Sequence, residues 1–220
     1  MTNPVLVVVG AGPGLGAAIA HRFGHSGYDV ALIARSAERL DSLGAQLQAA
    51  GITTGWTPVD IIDVTAFAAA VERFGQHAGR IDVLHFNPSA FTGKGPLELT
   101  SAELLADVGL GVASLLTAVQ AARPFMSAGA RITATGGATA DRPWPSAASL
   151  GVQKAGLRNL VAAVDAELSD DGIRAMSLTV AGTIAPETPF DPRHIADAFY
   201  AACQTADADW RSEVRFTGHD

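Results

Sequence analysis

Four glycines, Gly10, Gly12, Gly14 and Gly16, alternate through the stretch VVVGAGPGLGAAIA. Without Cβ atoms the backbone can turn sharply there and come close to an anion, toward which the free N–H groups and dipole of a following helix point. An apolar run before the turn and helical spacing after it make Gly10, Gly12, Pro13, Gly14, Leu15 and Gly16 a candidate cradle for a dinucleotide pyrophosphate. The plainer alternative is a strand-to-helix turn that merely tolerates glycine. Arg35 ends the second apolar run, Leu32-Ile33-Ala34-Arg35, where sites for NAD usually place a carboxylate on the ribose 2′-hydroxyl. A guanidinium with no acid beside it suits a 2′-phosphate, so NADP(H) is expected in preference to NAD(H). A solvated residue at a helix start is the alternative for Arg35. The third group is Lys154, a single cation in the small and apolar stretch SAASLGVQKAGL. It reads either as an ordinary solvated lysine or, beside a cofactor, as a ligand of the ribose.

The elements that must position these groups follow from periodicity. Continuously apolar runs at 5–9 and 29–34 alternate with helical stretches carrying Leu15, Ile19 and Phe23, then Leu40, Leu43 and Leu47, on one face. Further strands are expected at 53–59, 81–86, 130–135 and 173–180, with a last short one at EVRFTG. Thr100 opens the pattern TSAE, a capping box, and the helix that follows continues through LLTAVQAARPFM as one piece or a broken pair. Gly136-Gly137 reads as a turn after the fifth strand, and a long helix is expected from 146 to about 168. This order predicts an α/β fold: a single-domain, Rossmann-type, doubly wound parallel sheet with helices on both faces over residues 1–220. Ligands in such sheets bind past the carboxyl ends of the strands, where the glycine turn, Arg35, Asp60-Ile61, Asn87-Pro88, Thr135 and Gly182 to Ile184 all fall.

Composition narrows the partners. The net charge is −7 and no basic block occurs, so the electrostatic footprint of a nucleic-acid binder is missing. Val5–Val9 is too short and lacks the basic flank of a signal or membrane segment, so no membrane partner is expected. Cys203 is the only cysteine, which excludes an internal disulfide and suits a reducing cytoplasm. A small-molecule substrate is the remaining expectation.

With these residues in view the chain resembles the short-chain dehydrogenase/reductase family over nearly its whole length. Gly10, Gly14 and Gly16 match its Gly-x-x-x-Gly-x-Gly turn, and Asp60-Ile61 resembles the pair whose carboxylate holds the adenine amine. IDVLHFNPSA resembles the strand ending in Asn-Asn-Ala-Gly, with only Asn87 kept. VAGTI resembles the Pro-Gly-x-Ile segment that touches the nicotinamide, with Ala181 for proline and Gly182 and Ile184 in place. The resemblance implies catalysis by a tyrosine four residues before a lysine, a serine about thirteen residues before the tyrosine, and an asparagine in the preceding helix. Lys154 fits the lysine; Leu150 stands at the tyrosine position, Gly136 or Gly137 at the serine and Gly109 at the asparagine. Neither tyrosine of the chain, Tyr28 or Tyr200, falls where a shifted register could use it. Thr135 is the candidate substitute hydroxyl, with a strand threonine capping the turn as its alternative. Ser146 and Ser149 read as helix-start caps, Asp141 and Trp144 as the rim of the nicotinamide pocket, and His85 as a core histidine whose polar groups are satisfied. The substrate loop, about 183–192, is short beside the family's usual insert, which implies an open pocket.

Two functions stay in play. One is an NADP(H)-dependent oxidoreductase with a non-standard site, using Lys154 and Thr135. The other is a catalytically inactive NADP-binding protein acting as a redox sensor or auxiliary subunit, and a purely structural subunit without cofactor ranks below both. The two long helices after the fourth and fifth strands are apolar around much of their circumference, and in the family such helices pack on their copies. A homodimer or homotetramer is therefore expected.

Overall fold

The computed structural model describes residues 3–218. Its first strand, β1 (Val5–Val9), is buried at every position, as a central strand covered on both faces must be. Around it lie α1 (Leu15–Gly24), β2 (Asp29–Ala34), α2 (Ala37–Ala49), β3 (Thr54–Pro58), α3 (Val64–Ala78) and β4 (Val83–Phe86). The second half adds α4 (Ser101–Val108), α5 (Ser114–Ala122), β5 (Arg131–Gly137), α6 (Ala148–Leu168), β6 (Arg174–Val180), α7 (Pro192–Cys203) and β7 (Glu213–Phe216). The seven strands form one parallel sheet in the order β3-β2-β1-β4-β5-β6-β7. The strand order reverses between β1 and β4, which opens a crevice at their carboxyl ends.

Alternation along each strand sends side chains to two cores. Val7, Val9, Phe86 and Ile132 meet Phe67 of α3, Leu115 of α5 and Leu157 of α6 on one face. Leu6, Val8 and Leu32 meet Ile19 and Phe23 of α1, Leu40 and Leu47 of α2 and Phe199 of α7 on the other. Each fully buried Leu or Phe removes enough apolar surface to contribute about 1.5–3 kcal/mol, so the helical stripes foreseen from spacing are what clamp the sheet.

Two expectations change, and one left open is decided. The fifth strand does not stop before Gly136-Gly137; β5 runs through both, paired with Thr179 and Val180 of β6. Glycine is needed there for close strand approach, since a Cβ on Gly136 would lie 3.0 Å from the Leu178 carbonyl oxygen. The helix from Thr100 is a broken pair: a π-turn, Gly109–Ala113, separates α4 from α5. The expected capping box does form, with Thr100 Oγ1 accepting from Glu103 N and Glu103 Oε2 from Thr100 N. The long helix begins only at Ala148, after a short 3₁₀ turn at Pro145–Ala147.

Candidate active site

The crevice at the switch point is a cavity of 590 Å³. Gly10, Ala11 and Gly12 form one wall, and Asn87, Pro88 and Ser89 after β4 form another. Ala34, Arg35, Ser36 and Arg39 close the β2 end, with Val59, Ile61 and Leu110 as its apolar floor. The glycines divide by task. Gly10 has φ +85°, a conformation that excludes most side chains, and a Cβ on Gly16 would meet the Gly10 carbonyl oxygen at 2.5 Å. Gly12 and Gly14 have nothing within 4 Å of where a Cβ would stand, so open space lies directly over their backbone. The helix α1 starts at that space with no side-chain cap and no acidic residue in its first turn, which leaves its positive end unopposed. Pro13 and Gly14 are exposed beside it, whereas Leu15 is buried in the core and can offer only its backbone.

Arg35 is exposed at the mouth of β2, and Arg39, a residue sequence reasoning passed over, lines the same wall one helical turn on. Ser36 between them caps α2 by accepting from Arg39 N. Among the described residues no carboxylate pairs with either guanidinium. Asp60 is exposed and accepts from Ile62 N; Ile61, not Asp60, faces the cavity.

A hydrogen-bonded clasp joins three strands under the crevice. Asn87 Nδ2 donates to the Gly10 carbonyl at 3.1 Å, and Thr135 Oγ1 donates to Asn87 Oδ1 at 2.8 Å. Thr135, offered as a catalytic hydroxyl, thus spends its proton on Asn87. Its carbonyl accepts from Lys154 Nζ at 2.8 Å, so Lys154, on α6, reaches the end of β5. Burial pulls the Lys154 ammonium down to about 8, because the charged form is poorly solvated there. Leu150 stands half-buried one turn before it, and the Lys154 stem is the nearest group to a Cβ on Gly137, at 3.5 Å.

Several neighbouring residues have other roles than their spacing implied. Ser149 is not a cap: its hydroxyl donates to Asp107 Oδ2 at 2.6 Å, a buried tie between α6 and α4 that only the packed helices reveal. Gln153, also unforeseen, accepts from Ala90 N at 3.0 Å and donates to Ala90 O at 3.2 Å, fixing the loop after β4. Asp141 is held by Arg158 at 2.7 Å and Arg215 at 3.0 Å, and these guanidiniums keep its carboxyl below the usual carboxylate range. Trp144 is exposed and leans on Phe91 with ring centroids 5.7 Å apart. His85 is in the core against Phe199, but only half satisfied: Nδ1 bonds Thr133 Oγ1 at 2.8 Å and Nε2 has no partner. Its burial holds the ring neutral, at about 3. Tyr28 and Tyr200 both pack edge-on to Phe23, at 5.2 Å, on the α1 side of the sheet. Gly182 is pressed against Phe190, where a Cβ would collide at 2.2 Å, and Ile184 is exposed on the loop; neither lines the cavity.

A sequence profile described as short chain dehydrogenase matches residues 4–190. The chain belongs to the short-chain dehydrogenases. The chain is 27% identical over 185 residues to 3-dehydrosphinganine reductase TSC10B of Arabidopsis thaliana, covering 81% of this chain but 55% of that protein. The chain therefore spans about half the length of that relative. Among solved structures it is similar to a metagenomic short-chain oxidoreductase in complex with NADP, at 27% identity and TM-score 0.87 over 98% of both chains. A short-chain dehydrogenase/reductase from Serratia marcescens matches at 25% identity and TM-score 0.88, over 99% of this chain and 97% of the other.

Proposed function

We propose that this short-chain dehydrogenase is an NADP(H)-preferring oxidoreductase acting on a small molecule through a non-standard active site. The observation that carries the reading is the crevice itself: open space over Gly12 and Gly14 at the bare start of α1, ending at two unpaired arginines, Arg35 and Arg39. A pyrophosphate suits the first and a ribose 2′-phosphate the second, because guanidiniums bind phosphate through paired charge-assisted hydrogen bonds. The NADP bound by the metagenomic relative supports the same choice. When bound, the cofactor supplies a hydride; this chain's part is to hold it by the glycine turn and Arg35, with Lys154 on the nicotinamide ribose and Gly182 and Ile184 near its amide. The site is non-standard in that Leu150, Gly137 and Gly109 occupy the positions of the family's tyrosine, serine and asparagine. Positioning the acceptor against the hydride donor can still carry much of the rate.

Replacing Arg35 by Asp tests the cofactor. Loss of one charge-assisted contact and gain of a repulsive carboxylate should weaken NADPH binding by about 10- to 100-fold, from roughly 1.5–3 kcal/mol. NADH affinity should stay level or rise, read by nicotinamide fluorescence. Equal effects on both cofactors would refute the NADP preference.

The same substitutions favour a second reading, a catalytically inactive NADP-binding protein acting as redox sensor or auxiliary subunit. It predicts NADPH binding with no oxidation by any carbonyl acceptor.

A further inference from the structure

We propose that Lys154 is itself the proton donor of the reaction, passing an ammonium proton to the carbonyl oxygen of an aldehyde or ketone substrate. The inference rests on the oxidoreductase reading above. It begins from Tyr28, Tyr200, His85 and Cys203, none of which lines the crevice. Tyr28 and Tyr200 pack on Phe23 across the sheet. His85 is sealed between Thr133 and Phe199 as the neutral ring, and Cys203 is buried with its thiol pushed up to about 12. The Thr135 hydroxyl donates its hydrogen bond to Asn87 Oδ1, and that of Ser149 donates to Asp107 Oδ2.

The Lys154 ammonium carries three N–H donors, of which the Thr135 carbonyl takes one. Thr135 in turn grips Asn87, which lines the crevice, so the amine is anchored one residue behind the crevice wall. Gly137 puts no side chain alongside the lysine stem, and Leu150 puts no polar group one turn away. Three carboxylates on the surrounding elements are engaged elsewhere. Asp107 of α4 accepts from Ser149, Asp141 of the loop after β5 is held by Arg158 and Arg215, and Glu213 of β7 is held by Arg158. No carboxylate therefore locks the proton on, and desolvation brings the ammonium to about 8, near the working pH at which a general acid is most effective. The neutral amine left behind suits this dry site better than the cation did.

The step balances simply. A hydride from the reduced nicotinamide forms the new C–H bond, the carbonyl π pair moves onto oxygen, and a Lys154 N–H bond breaks as the O–H bond forms. Substrate is reduced, cofactor oxidised, and water returns a proton to the amine.

The chain has two lysines, Lys94 and Lys154, so protein labelled with ε-¹³C-lysine gives two resonances, assigned with Lys94→Arg. Titration should give Lys154 a midpoint near 8, far below the ordinary 10.5. With 9,10-phenanthrenequinone and 4-nitrobenzaldehyde as acceptors, kcat should fall tenfold per pH unit above that same midpoint. Lys154→Arg keeps the cation but cannot release its proton in this range. At saturating NADPH its kcat should drop at least 100-fold. A Lys154 midpoint at 10 or above, or a kcat that survives in Lys154→Arg with only KM raised, would overturn the proposal. NADPH binding without oxidation by either acceptor would overturn the acid and leave the cofactor reading standing. Absence of NADPH binding would overturn both.

Discussion

Gly136 and Gly137 are adjacent and identical in chemistry, yet their surroundings set them apart. A Cβ at 136 would press on the Leu178 carbonyl oxygen at 3.0 Å and on Thr179 at 3.1 Å, both in the paired strand β6. At 137 its nearest contacts would be methylenes of Lys154, at 3.5 to 3.8 Å, an ordinary distance. Of the two, Gly137 is therefore the position with room for a side chain. Gly136→Ser should cost about 1–3 kcal/mol by overpacking, whereas Gly137→Ser should stay within about 0.5 kcal/mol of the parent. Urea unfolding of the two variants checks this, and equal losses would contradict it. The glycine turn, Arg35 and Lys154 could be picked out from the sequence because each breaks a local pattern. Arg39 carried a usable signal too, in the first turn of the helix that follows Arg35. The commitment of the Thr135 hydroxyl to Asn87 carried none, because those residues meet only across two paired strands.

Helix boundaries divide in the same way. The Thr100–Glu103 box is written in four consecutive residues and forms as expected. The π-turn at Gly109–Ala113 is not a local matter: a Cβ on Gly111 would stand 2.2 Å from Gln153 Oε1, the atom that accepts from Ala90 N. Glycine there lets α6 approach, and Gln153 can then brace the loop that carries Pro88 and Ser89 into the crevice. Helix propensity says that Gly111→Ala should stabilise by about 1 kcal/mol. We expect the reverse, a loss of about 1–2 kcal/mol, since Gln153 must give up its bonds to Ala90. Unfolding by denaturant, with Gly129→Ala kept out of the comparison because its φ of +92° brings strain of its own, gives the sign.

Over the whole molecule, the stretch Ser101–Phe125 is, by its 25 residues and composition, long and apolar enough to cross a membrane. Its inner face is accounted for by the core, through Leu115, Ala118 and Ala122. Its outer face leaves Leu105 70% and Leu116 42% exposed, and Val152 of α6 is 49% exposed. A second copy of the chain covering these residues is the assembly this pattern favours. Light scattering should show a dimer or tetramer, and Leu116→Lys should shift it toward monomer by placing a charge in an apolar contact. A monomeric parent protein would refute the arrangement. By itself the sequence determined the parallel α/β order, the stripes of α1 and α2 on one core and the glycine turn, because periodicity and glycine spacing are local properties of a chain. The tertiary structure alone decided which hydroxyls keep a free proton, why the fifth strand continues through two glycines, and how deeply Lys154 is buried. Those properties depend on partners brought together by folding, from strands and helices dozens of residues apart.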